Sequence, residues 1–136
     1  MVTEIELDRI VEYAESVNVL TDGDVSEYVV GEDRFNEICT AYNAMLAGAH
    51  RMPAYGVSLD NETRTAVKSG VWAEFVFSKP LSSDGMPFEK LLINVQPEWS
   101  GFNIIRYTAK HGYDGRCFYY NLVNGDMRIF YDSLVK

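Results

Sequence analysis

The residues of this chain with chemistry in them are two histidines, two cysteines and a crowd of carboxylates. His111 stands in the segment Lys110-His111-Gly112-Tyr113-Asp114. A turn histidine beside a carboxylate has the makings of a general base, because imidazole changes charge near neutral pH. A small hydrolase using His111 is one reading; a solvent-exposed side chain is the ordinary one. No nucleophile elbow, phosphate-binding loop or HExxH pattern accompanies it. Cys39 and Cys117 lie far apart in apolar-patterned segments, with neither redox nor metal-ligand spacing. Two buried free thiols are expected, as suits a reducing cytosol. Asp22, Asp24 and Glu27 do not follow the alternation of a calcium loop, so no metal is expected. The chain therefore reads as a non-enzyme without a cofactor.

The carboxylates carry a stronger signal through their distribution. Residues 1–37 hold eleven acids against Arg9 and Arg34, a net of −9, while the whole chain carries −8. The first lysine is Lys68. Such asymmetry speaks about partners, not about fold. Asp22, Asp24, Glu27, Glu32 and Asp33 fall around expected turns and helix ends, where side chains reach water. The ordinary reading is helix caps and a solvated face. The functional reading is a surface for a protein partner with a basic face, since rows of carboxylates resemble a phosphate backbone electrostatically. The expected function is a non-enzymatic protein–protein interaction module. Its concrete form is a small acidic inhibitor or immunity-type protein, phage or mobile-element encoded in the anti-CRISPR or anti-restriction style. It would block a basic or nucleic-acid-handling target as a nucleic-acid mimic.

A second constellation supports an alternative. Arg106, Arg116 and Arg128 each fall in one of three expected strands, with Tyr107 and Tyr119 beside them. Aligned on one face, they would form an RNA- or ligand-binding surface of cations and stacking rings. The ordinary reading pairs the arginines with Glu74, Asp126 and Asp132. The overall acidity counts against direct nucleic-acid binding. Trp72, Trp99 and the Met86-Pro87-Phe88 cluster are either exposed contact residues or folded back over the sheet.

The elements that position these residues are read from hydrophobic period. Thr3 with Glu6 forms a capping box, and Leu7, Ile10, Val11, Ala14 and Val17 follow as one helical stripe. Thr21-Asp22-Gly23-Asp24 is a turn, and Asp24 with Glu27 caps a short helical piece through Val30. Phe35, Ile38, Cys39, Tyr42, Met45, Leu46 and Ala49 set the strongest helix, capped by Asp33 and ended by Pro53. A short helix is expected over 61–69, with an extended segment as the alternative. From Val71 the period becomes two. Val71, Ala73, Phe75 and Phe77 share a face; residues 79–87 form a loop; Leu91, Ile93 and Val95 share a face. Strands follow over 102–109, 116–122 and 127–132, the last two joined by an Asn124-Gly125 hairpin.

The expected class is α+β in a single domain, residues 1–136, with a 47% apolar share that suits a packed core. N-terminal helices should pack on one face of a five-stranded, mainly antiparallel meander whose other face is partly wet. Met1 to Val17 has acids where a signal peptide needs a basic start, and no apolar run approaches a membrane span. A cytoplasmic protein that makes no membrane contact is the expectation.

Overall fold

The computed structural model describes residues 3–47, 50–53, 68–83, 86–97, 102–107, 118–123 and 127–135. The class is α+β. In chain order the elements are β1 (Thr3–Glu4), a 3-10 helix (Leu7–Glu12), β2 (Ala14–Thr21), β3 (Asp24–Val29), α1 (Asp33–Leu46), β4 (His50–Pro53), β5 (Val71–Ser83), β6 (Met86–Val95), β7 (Phe102–Tyr107), β8 (Phe118–Val123) and α2 (Met127–Leu134). One sheet holds the eight described strands, seven of them in the order β3-β2-β5-β6-β7-β8-β4. Neighbours along that path are antiparallel, and β1 adds a short parallel pairing to β5 at Leu81 and Ser82. The run β5-β6-β7-β8 is a meander of consecutive strands, as the two-residue period implies.

The core lies between one face of this sheet and the two described α-helices. Register builds it in rows: Val17 pairs with Phe75 and Phe75 with Leu91, while Val19 pairs with Ala73 and Ala73 with Ile93. All six side chains are buried. From α1, Phe35, Ile38, Ala41, Tyr42 and Met45 come down onto these rows; from α2 come Met127, Phe130 and Leu134. Three rings close the contact. Tyr42 meets Phe75 edge-on at 5.2 Å and Phe130 at 5.9 Å, and Phe75 and Phe130 stack at 6.5 Å. Edge-to-face and offset geometries at these separations suit the ring quadrupoles.

Several expectations are overturned. Helices do not come first: the N-terminal segment is a 3-10 helix followed by a hairpin, and the sheet has eight strands where five were expected. The stripe from Leu7 to Val17 fits a helix until Ala14. Thereafter β2, with β-branched Val17, Val19 and Thr21, finds seven partners on β5, and that ladder outweighs the local period. Glu6 stands at the N-cap of the 3-10 helix with no side-chain cap, and Thr3 belongs to β1. Asp24 to Val29 is a strand because Asp-Gly makes a hairpin turn here and not a helix start. Around α1 the N-cap is Glu32, Asp33 is the first helical residue, and the helix ends at Leu46 with Ala47 as its C-cap. Pro53 instead lies in β4, the edge strand of the sheet, where a missing N–H is tolerated.

The expected loop over 79–87 is mostly strand, with β5 reaching Ser83 and β6 starting at Met86. Phe88 is buried edge-on to Phe77 at 5.6 Å, so it is no contact residue. Trp72 is also buried, its indole N–H donating to the Ser69 carbonyl. With Leu92 and Glu74 it makes the centre of the second sheet face dry, while Val25, Glu27 and Val29 at its β3 edge are exposed. The strand expected over 127–132 is α2: Met127, Phe130, Tyr131 and Leu134 repeat at helical spacing. Asn124-Gly125, Trp99, Ala49 and most of the 61–69 segment lie outside the described residues.

Phe130 is the only ring that α2 contributes to the three-ring contact. Phe130→Ala should cost about 3–5 kcal/mol, the range for removing a fully buried phenylalanine. Urea denaturation checks this, and a loss under about 1 kcal/mol would mean that α2 is held elsewhere.

Candidate functional site

The five carboxylates gather on the β2–β3 hairpin and the start of α1. The turn itself is Asp22-Gly23, with φ of 49° and 91°, the left-handed pair that a two-residue hairpin needs. Asp tolerates this conformation and Gly accepts it without strain. The turn is fastened to the approach of β5 by two reciprocal bonds. Asp22 N–H donates to the Gly70 carbonyl at 2.9 Å, and Gly70 N–H donates to Asp22 Oδ1 at 2.8 Å. Asp22 is therefore both a surface charge and a structural clasp.

From that turn β3 runs along β2 in unbroken register, Thr21 opposite Asp24 and Ser16 opposite Val29. Strand alternation places Asp24, Ser26 and Tyr28 on the helix-covered face, and Val25, Glu27 and Val29 on the other. Asp24 and Glu27 thus share an edge but flank it from opposite sides. At the far end Glu32 folds back: Val29 N–H donates to Glu32 Oε1 at 2.7 Å, and Glu32 N–H donates to the Val29 carbonyl at 3.1 Å. Asp33 then opens α1, where a carboxylate suits the positive end of the helix dipole.

All five carboxylates are exposed. The two arginines of this acidic quarter are engaged with other acids. Arg9 pairs with Glu12 at 3.1 Å, and Arg34 pairs with Glu37 at 3.3 Å. Arg34 also lies over the Tyr28 ring at 5.3 Å and donates to the Leu134 carbonyl at 3.5 Å, tying the end of α2 to the start of α1. Among the described residues no base pairs with Asp22, Asp24, Glu27, Glu32 or Asp33. Interleaved with the acids are apolar side chains that the sequence reading passed over. Val25 is 61% exposed, Val30 63% and Val29 42%. Their signal in the sequence is the alternation that follows Asp-Gly, which the capping pattern of Asp24 with Glu27 obscures.

The arginine–tyrosine constellation does not assemble as expected. Arg128 belongs to α2, not to a strand; it sits 3.9 Å from Asp132 and 6.0 Å from the Tyr131 ring. Arg106 holds a backbone position between Leu91 and Phe118, Tyr107 pairs with Lys90, and Tyr119 pairs with Ile105. Arg116, His111 and Cys117 lie outside the described residues. Glu74 takes a hydrogen bond from Asn18 Nδ2 at 3.0 Å, which continues a cross-strand row from Glu27 through Asn18. Among the described residues no group of three or more His, Cys, Asp or Glu is placed to hold a metal ion. None of their helices is long and apolar enough to cross a membrane.

Cys39 is a free, half-buried thiol on α1, and burial pushes its pKa up to about 11. Comparison with protein-family models, with curated proteins and with solved structures finds no match.

Two outcomes follow from this geometry. Asp22→Ala should cost about 1–2 kcal/mol in urea unfolding, from the lost Gly70 bond and a β-carbon residue without a polar group at positive φ. Asp22→Asn keeps an acceptor and should stay within about 0.5 kcal/mol of the parent. For Cys39, only about one thiol in a thousand is ionised at pH 8, so in a Cys117→Ser background it should react with a disulfide reagent far more slowly than a free thiol does. Denaturant should restore the ordinary rate.

Proposed function

We propose that this protein is a non-enzymatic interaction module that engages a partner with a basic surface through the acidic β3 edge. One observation carries the reading. Five of the eleven acids of residues 1–37 sit exposed on a hairpin edge and helix start, and no base among the described residues is paired with those five carboxylates. Charge of one sign on one edge steers a basic partner and raises its on-rate by about 10- to 1000-fold at low salt. Val25, Val29 and Val30 supply apolar contact between the charges, which a durable complex needs beyond Coulomb attraction.

The finer form of the proposal is an inhibitor or immunity-type protein that occupies a groove built for nucleic acid. One carboxylate on each face of β3, with Asp22 at its turn and Glu32 and Asp33 beyond its far end, surrounds the strand with negative charge. Lysines and arginines that neutralise phosphates would meet these carboxylates with the same counterion release and the same salt dependence. A target of this kind is nucleic-acid-handling and basic, and the module would work in the cytoplasm by obstruction, with no chemistry of its own.

The test uses the joint variant Asp22→Asn, Asp24→Asn, Glu27→Gln, Glu32→Gln and Asp33→Asn. The amides keep the acceptors that hold Gly70 N–H and Val29 N–H, so the fold should survive. Pull-downs from lysate with each form, eluted by salt, should show partners captured by the parent and lost by the variant. Affinity for such a partner should fall at least about tenfold, with a flatter salt dependence. Equal capture by both forms would end the proposal.

A further inference from the structure

We propose that the outer edge of β3 takes up a short, extended, cationic peptide segment as an added strand. This rests on the reading above and specifies how the partner is held. The two-residue turn makes Thr21 and Asp24 the closing pair, so the hydrogen-bonded pairs are Thr21 with Asp24, Val19 with Ser26 and Val17 with Tyr28. The N–H and C=O groups of Asp24, Ser26 and Tyr28 therefore turn inward to β2. Those of Val25, Glu27 and Val29 turn outward. Val29 is already satisfied, because Glu32 takes its N–H and donates to its carbonyl. Val25 and Glu27 are left with two N–H donors and two carbonyl acceptors along the outer edge. β3 ends the sheet order, and no described strand pairs with it there.

The charge of the edge selects the occupant. A second copy of this chain would bring Asp24 and Glu27 against their own kind, which protects edge strands from self-pairing. A lysine- or arginine-bearing strand meets those carboxylates instead, with Asp24 on one of its faces and Glu27 on the other. Val25, beside Glu27 on the same face, offers an apolar neighbour for an alternate side chain. Main-chain bonds then give affinity and the flanking charges give selectivity, the division of labour seen in strand addition generally. The ladder is short, since Glu32 closes it at Val29.

The probe is a capped peptide of alternating lysine and valine, titrated into the full, isotope-labelled chain. Amide exchange at Val25 and Glu27 should slow at least about tenfold on binding, while Ser26, already paired to β2, changes little. Val25→Pro deletes one outward N–H and leaves every charge and the β2 ladder in place, so it should keep the fold and weaken the peptide about tenfold. Should that variant not fold, the same peptide with alternate N-methylated residues serves on the unaltered protein, and it should not bind. Absence of binding by the unmodified peptide overturns strand addition. So does equal binding of the N-methylated form, or binding with unchanged exchange at Val25 and Glu27. That last result leaves the acidic-edge reading standing, which falls only if the joint amide variant retains its partners.

Discussion

The contact of Tyr42, Phe75 and Phe130 is where the three layers of sequence meet. Phe75 comes from the longest strand, Tyr42 from the middle of α1, and Phe130 from α2. All three are fully buried. An isolated helix of eight residues is not stable in water, so α2 exists because Met127, Phe130 and Leu134 are buried against its neighbours. Arg34 adds a polar tie by donating to the Leu134 carbonyl while its guanidinium covers Tyr28. That one arginine links the end of α2, the start of α1 and the β3 strand. The acidic edge is thereby positioned from the core outward: the rings set α1, and α1 sets Glu32 and Asp33 at the far end of β3.

Sequence pattern revealed what was local and strong. The stripe from Phe35 to Leu46 declared α1, because one apolar face persists over its turns and no strand can keep that period. The alternation of Val71, Ala73, Phe75 and Phe77 declared β5 for the same reason. Where two periods overlap, the pattern misled. Leu7 to Val17 satisfies a helical stripe, yet Val17 and Val19 also alternate, and only their distant partners Phe75 and Ala73 decide between the two. The segment at 127–132 is the mirror case: Ile129, Phe130 and Tyr131 favour strands by propensity, and burial against α1 makes a helix of them. Propensity yields to tertiary contact at both places.

The candidate site was half legible for related reasons. Exposure of Asp22, Asp24, Glu27, Glu32 and Asp33 could be read from their number and from the turn signals around them. Their division between two faces could not, because it depends on β3 being a strand. Nor could the structural duties of Asp22 and Glu32, whose partners Gly70 and Val29 are set by the turn geometry. The arginine–tyrosine surface loses Arg128, which belongs to a helix, while Arg116 lies outside the described residues. A constellation assembled from assumed strands is only as good as the weakest of them.

The place of β2 between β3 and β5 has a consequence for the chain as it is made. Thr21 pairs with Val71 and Val17 with Phe75, so the inner edge of the hairpin has no neighbour until a long stretch of later sequence has been synthesised. At ribosomal speeds of about 5–20 residues per second, that interval lasts seconds. During it, a two-stranded ribbon bearing Val17 and Val19 faces the crowded cell with both borders unpaired. The carboxylates exposed on this hairpin oppose pairing between two such ribbons, since like charges would face one another along the shared border.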